Sequence, residues 1–224
     1  MEICRLEHIR KDYRAGETVT PLRDVSLTVQ EGEFVSIEGP SGIGKSTLLY
    51  VMGALLQSDG GSYLFQGRDV ARLGDRGRSE LRAGKIGFLF QDSPMIQALT
   101  LRENLDFARR ACGVRDRSQV DRQLERFGLS DRADFLPHQL SGGQRRRAMA
   151  ARALIHAPAL ILADEPTNDL DEHWAREVVR ALGEQAERGT AVVMVTHDVC
   201  CTVAAGRRCR LDGGILVDID KNDT

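Results

Sequence analysis

The chain has 224 residues, 42% of them hydrophobic and 29% charged. These proportions exclude a disordered polymer or a fibrous repeat and allow one large domain or a core carrying a smaller subdomain. With 31 basic and 33 acidic residues the formal net charge is −2, which disfavours nucleic acid as a partner held by bulk charge.

In chain order, residues 1–7 place charges where a secretory signal needs an apolar stretch, so a cytosolic protein is expected. Residues 25–29 alternate apolar and polar side chains, Glu31-Gly32-Glu33 reads as a turn, and 34–37 reads as a strand. Two short strands thus lead into a glycine loop. Residues 45–56 are dense in Leu, Tyr, Val, Met and Ala and predict a buried helix, closed by the break at 58–62. Short strands are expected at 63–65 and 86–90, then charged helices at 99–110 and 118–127. Beyond these lie strands at 160–163 and 191–196, a helix over 172–187 between them, and a short β ending at 210–219. The apolar stretches 159–163 and 191–195 are strand-length, far below the roughly 18 residues of a membrane span. The pattern is an α/β fold, a core of 1–91 and 158–224 interrupted by a helical subdomain over 92–157. Five cysteines (Cys4, Cys112, Cys200, Cys201, Cys209) are an odd number without a C-x-x-C pair, and read as reduced packing thiols. The adjacent Cys200 and Cys201 leave a redox pair as the alternative.

Three segments carry chemistry. Gly39-Pro40-Ser41-Gly42-Ile43-Gly44-Lys45-Ser46-Thr47 contains G-x-x-x-x-G-K-[ST] directly after a strand and opening a helix. Glycines let the loop turn its N–H groups onto a phosphate, and the helix N-terminus adds about half a positive charge there. Lys45 is expected to reach the β- and γ-phosphates, and Ser46 to offer a hydroxyl to Mg²⁺, which prefers hard oxygen ligands. Residues 160–163 form an apolar strand ending in Asp164-Glu165. In a P-loop enzyme Asp164 holds Mg²⁺ through a water, while Glu165 orients and deprotonates the attacking water. Between them, Leu140-Ser141-Gly142-Gly143-Gln144 precedes a helical run over 145–155, with Ser141 suited to the N-cap. This is a second helix start built for an anion. Arg145-Arg146-Arg147 reads as a solvated helix face with some phosphate or inter-subunit contact.

The phosphate loop, LSGGQ, the strand ending in Asp164-Glu165, and Thr196-His197-Asp198 after a second strand, in this order over nearly the whole chain, resemble the nucleotide-binding subunit of ABC transporters. The resemblance implies a P-loop NTPase (RecA-like) core with an antiparallel β subdomain and an inserted helical subdomain. It also assigns roles. Tyr13 resembles the aromatic that stacks on adenine, Gln91 the loop glutamine touching Mg²⁺ and the membrane partner, His197 the switch histidine at the γ-phosphate, and Asp171 the aspartate of the inter-subunit loop. Tyr13 also reads as an ordinary surface aromatic and His197 as a strand-end histidine. In the family, the Ser141, Gly142, Gly143 and Gln144 positions of one subunit meet the nucleotide on the phosphate loop of the other, in a head-to-tail homodimer.

Residues 16–22, Leu81-Arg82 with Ile86-Gly87-Phe88 before Gln91, and 159–166 resemble the lipoprotein-release and macrolide-export type. Asn168-Asp169 stands where that group usually has Gly-Asn, and Arg145 where Gln is frequent. The resemblance implies a Mg²⁺-dependent ATPase, cytoplasmic and peripheral on the inner face of the cell membrane. Its expected partner is a separate integral membrane permease that exports or extracts a hydrophobic substrate. A module of cell division or signalling, moving a membrane partner without transport, is the alternative. A soluble repair or translation ATPase needs a long coiled coil or two cassettes, and neither fits in 224 residues. The expected dock for the permease is the helical subdomain with the segment from Gln91 to Leu99, unless Met95, Ile96 and Leu99 pack under their own helices.

Overall fold

The computed structural model describes residues 1–90 and 95–219. Two long strands, β1 (Glu2–Ala15) and β2 (Glu17–Gln30), form an antiparallel hairpin. The strand β3 (Phe34–Glu38), the glycine loop and α1 (Lys45–Met52) follow. Next come β4 (Gly60–Phe65), β5 (Arg68–Asp69), α2 (Asp75–Lys85) and β6 (Ile86–Leu89). Three helices, α3 (Leu101–Ala111), α4 (Ser118–Arg126) and α5 (Gly142–Ala153), fall between β6 and β7 (Leu160–Asp164). The remaining elements are α6 (Glu172–Glu187), β8 (Ala191–Val195), α7 (Val199–Thr202), β9 (Arg207–Asp212) and β10 (Ile215–Ile219).

All ten strands join one sheet in the order β5-β4-β1-β2-β10-β9-β3-β8-β7-β6. Its two halves differ in kind. The β5-β4-β1-β2 half is antiparallel, whereas β9, β3, β8, β7 and β6 run parallel. A single parallel pair, Ile215 opposite Asp24, links the halves. Strands β7 and β8 are buried at every position, as expected of parallel strands covered on both faces. One face packs α1 with the hairpin and β3 through Leu48, Leu49, Met52, Leu22, Val25, Val35 and Ile37. The other receives the helices through Leu101, Leu105, Leu124, Ala151, Val178 and Leu182.

Several elements differ from their sequence expectation. The pair of short strands ahead of the glycine loop is a hairpin of two 14-residue strands plus β3, because β1 hides its alternation. Register slips between Leu6 and Ile9 and a left-handed His8 (φ 52°) interrupt the period of two. The helix expected over 45–56 ends at Met52, with Gly53 as its cap, because Ala54 turns into the left-handed region (φ 52°) and breaks the helical path. The helix α2 is charged and has no buried residue, so it gives no apolar periodicity to read. The short β at 210–219 is two antiparallel strands beginning at Arg207. The thiols of Cys4 and Cys209 are buried, and burial pushes both up to about 12.

Candidate nucleotide site and its signature helix

The glycine loop leaves the tip of β3 and enters α1 at Gly44, which adopts φ 117°. A Cβ at Gly44 would sit 2.8 Å from the Pro21 carbonyl oxygen, so only glycine lets the loop pass this close to β2. Lys45, 8% exposed, turns its ammonium back across the loop and donates to the Gly39 carbonyl (2.6 Å) and the Pro40 carbonyl (2.9 Å). A cleft of about 310 Å³ opens over the loop. Ser41, Gly42, Gly44, Lys45, Ser46 and Thr47 line one side, Tyr13 with Val19 and Pro21 of the hairpin another, and Asp164 and Glu165 the end. Tyr13 is 41% exposed and lies opposite Val19 in the hairpin, with the Lys11 ammonium 5.9 Å from its ring centre.

The strand β8 lies between β3 and β7, so the tips of three parallel strands carry the loop, the switch segment and the acidic pair side by side. Asp164, the last residue of β7, is buried and hydrogen-bonded to the Ser46 side chain. Burial raises its carboxyl above the usual range and the neighbouring Glu165 adds to the rise, while Ser46, Lys45 and Arg146 oppose it. Glu165 holds a left-handed backbone (φ 46°), its N–H donating to the Val195 carbonyl (2.9 Å). A non-glycine residue in that region stores strain that its surroundings must hold. Its carboxylate oxygen Oε1 lies 2.9 Å from His197 Nδ1, and Oε2 accepts the His197 backbone N–H (3.4 Å). Glu165 and His197 thus form one polar unit at the edge of the cleft. Gln91, expected beside the metal, lies outside the described residues, as do 92–94 of the expected dock.

Ser141 caps α5 in a reciprocal box. Its Oγ accepts the Gln144 N–H (3.2 Å), and Gln144 Oε1 accepts the Ser141 N–H (2.8 Å). Gln144 therefore spends its side chain on the cap. Gly142 and Gly143 open the helix, and a Cβ on Gly143 would stand 3.1 Å from the Asp169 carbonyl oxygen. Asp171 caps α6, its Oδ1 accepting the Trp174 N–H (2.9 Å). None of Ser141, Gly142, Gly143, Gln144 or Asp171 lines the cleft over the phosphate loop of its own chain.

Only Arg145 of the arginine run is exposed, and it also donates to the Leu140 carbonyl (2.8 Å). Arg146 is 3% exposed, and Arg147 stacks on Trp174, 4.1 Å from the ring centre. Three consecutive helical residues span about 200° of the circumference, so they cannot share one outer face on a helix packed between α3, α4 and α6. Residue order fixes this angular spread, whereas the partners of Arg146 and Arg147 come only from helix packing. Met95 also departs from the expected dock, since it is buried with Leu101 and Leu105, while Ile96 stays 40% exposed.

A glycine loop between a buried strand and a helix, with a carboxylate pair on the tip of the next strand but one in a parallel sheet, defines a P-loop ATPase. The model of the family described as ABC transporter matches residues 22–168. The chain is 39% identical over 221 residues to the macrolide export ATP-binding/permease protein MacB of Salmonella typhimurium, covering 97% of this chain and 34% of that protein. It is 40% identical over 226 residues to the pyoverdine export ATP-binding/permease protein PvdT of Pseudomonas aeruginosa, covering 99% and 34%. Among solved structures, the post-hydrolysis dimer of the ATP-binding cassette MJ0796 bound to ADP and Pi matches with a TM-score of 0.92 at 35% identity, covering 97% of this chain and 98% of that one. The chain belongs to the ABC transporter family, as an ATPase cassette. It spans about a third of the length of the curated relatives it matches. Among the described residues, no helix is long and apolar enough to cross a membrane.

Proposed function

We propose that this cassette hydrolyses Mg²⁺-ATP in a head-to-tail homodimer and powers an integral membrane permease of the export or lipoprotein-extraction kind from the cytoplasmic face. The observation that carries the shared site is the separation within one chain. The phosphate loop, Asp164 and Glu165 line one cleft, whereas Ser141, Gly142 and Gly143 start a different helix and line none of it. Two anion-binding helix starts in one chain make one site only when a second chain completes each. MJ0796, similar over nearly the whole chain, is described as a dimer, and relatives named for export of macrolides and pyoverdine support the transport reading.

The residues fit the metal. Ser46 and Asp164 offer a hydroxyl and a buried carboxylate in hydrogen-bonding contact, the hard oxygen pair that Mg²⁺ takes beside phosphates. An ion held by these two residues would supply positive charge to offset that of the triphosphate. The protein does the rest. The loop N–H groups and Lys45 hold the triphosphate, Tyr13 offers its ring face to adenine, and Glu165 accepts the proton of the attacking water. His197, paired with Glu165, fixes the direction of that carboxylate and reaches toward the γ-phosphate.

The test is complementation between subunits. Glu165→Gln should bind ATP, trap a dimer in size-exclusion chromatography and nearly stop turnover, because an amide accepts no proton at neutral pH. Ser141→Arg should bind ATP as a monomer and lose hydrolysis. Mixing Lys45→Ala with Ser141→Arg places both defects in one composite site and leaves the other intact, so hydrolysis should return. Absence of rescue, together with a Glu165→Gln protein that stays monomeric in ATP, would refute the shared site.

A further inference from the structure

The segment following Glu165 is tied to the signature helix from two sides. On one side Arg146, buried in α5, donates from Nε to the Asn168 carbonyl (3.3 Å) and places Nη2 3.9 Å from Asp169 Oδ2. Asp169 itself sits in the left-handed region (φ 64°), which aspartate tolerates better than most residues. On the other side, Arg147 lies over the indole of Trp174 at 4.1 Å and donates to the Phe127 (2.6 Å) and Gly128 (3.2 Å) carbonyls. Gly128 makes room for the indole, since a Cβ there would stand 2.7 Å from it. Asp171 caps the helix that carries Trp174. Residues 168–174 are thus held by two consecutive arginines on the helix that begins at Gly142. The segment begins three residues past Glu165, beyond the end of β7, and belongs to no strand of the sheet.

We propose that Arg146 and Arg147 are positioning residues for hydrolysis, clasping 168–174 to the signature helix so that Ser141 and Glu165 of one chain move as a unit. The inference rests on the shared-site reading. In that dimer the Ser141 of a chain serves one ATP and its Glu165 serves the other, so a rigid link between them lets nucleotide in one site accelerate hydrolysis in its neighbour. Arg146 makes its contact with Asn168-Asp169 and Arg147 makes its own with Trp174. Asn168-Asp169 is also where the chain departs from the usual Gly-Asn.

The experiment uses the full chain and its single tryptophan. In the Glu165→Gln background, Trp174 emission should shift on addition of Mg²⁺-ATP, and that shift should vanish in Arg147→Met. With Glu165 intact, Arg146→Met and Arg147→Met should each lower kcat at least tenfold with KM for ATP within twofold of wild type. ATP cooperativity should fall to a Hill coefficient of 1. Asp169 is 72% exposed, and the buried Asp164, which also feels the Arg146 charge, keeps Ser46 and Lys45 beside it, so the fold should persist in Arg146→Met. Trp174→Phe, which keeps an aromatic face for Arg147, should retain near wild-type kcat, whereas Trp174→Ser should reproduce the loss. Wild-type kcat and cooperativity in both arginine variants would overturn the clasp while leaving the functional reading in place. A loss of kcat matched by equal loss of ATP affinity and melting temperature would also overturn it, reducing the pair to packing. Absence of ATP turnover in the wild-type chain would bring down the functional reading and this inference together.

Discussion

Replacing Lys45 with alanine removes the one buried cation of the glycine loop. Its ammonium has three donors, two of which face the Gly39 and Pro40 carbonyls at 2.6 and 2.9 Å. The third donor and the full charge remain for a phosphate. A hydrogen bond to a charged group is worth about 1.5–3 kcal/mol net, which at 1.4 kcal/mol per decade is roughly a 10- to 150-fold loss of ATP affinity. Unscreened Coulomb attraction near a protein surface, about 4 kcal/mol at 4 Å, sets an upper bound near a thousandfold. The backbone N–H groups stay in place, so binding should weaken by this amount without disappearing. Calorimetric titration of ATP into wild type and Lys45→Ala measures the ratio directly. Loss of ATP-induced thermal stabilisation should follow from the same Kd change. An affinity within twofold of wild type would show that the phosphates bind elsewhere and would refute the loop assignment.

Other expectations separate packing from docking and test a buried base. Ile96→Glu should leave the chain folded with normal ATP binding and weaken capture and stimulation by a permease, because Ile96 is 40% exposed. Met95→Glu should instead unfold the subdomain, since a carboxylate forced among Leu101 and Leu105 costs several kcal/mol, and a normal melting temperature would place Met95 outside that core. His156 has two buried ring nitrogens without a hydrogen-bond partner among the described residues, and burial holds its pKa below the ordinary 6.5. The unfolded chain therefore binds a proton first. Stability is complete above about pH 6.5 and falls as pH drops toward the lower folded pKa. Melting temperatures at pH 7.5 and 5.5 should differ less in His156→Leu than in wild type, and an equal difference would remove His156 as a cause.

The glycine loop, the cap at Ser141 and the acidic strand end were legible because each depends on neighbours within four or five residues. A loop must turn, a helix must satisfy its first N–H groups, and a buried strand must be apolar, so the chemistry prints itself in local residue order. The hairpin β1–β2 was only half legible, since bulges near His8 shift the side-chain alternation and its register is set by pairing across the sheet. The arginine run misled because charge in sequence says nothing of what faces it. The Asn168 carbonyl and Asp169 that receive the buried Arg146 arrive from a segment about 22 residues away, which residue order does not reveal.

From residue order alone came the class of the protein, its nucleotide loop and the acidic pair that ends β7. Tertiary structure decided which of these residues share a cleft. The parallel sheet sets β8 between β3 and β7, bringing His197 to Glu165 across 32 residues and Ser46 to Asp164, while leaving Ser141 outside that cleft. The physical reason is that strand order and helix packing are chosen by burial of whole faces. A sequence motif states what a residue can do, and the packed sheet determines what stands within hydrogen-bond reach of it.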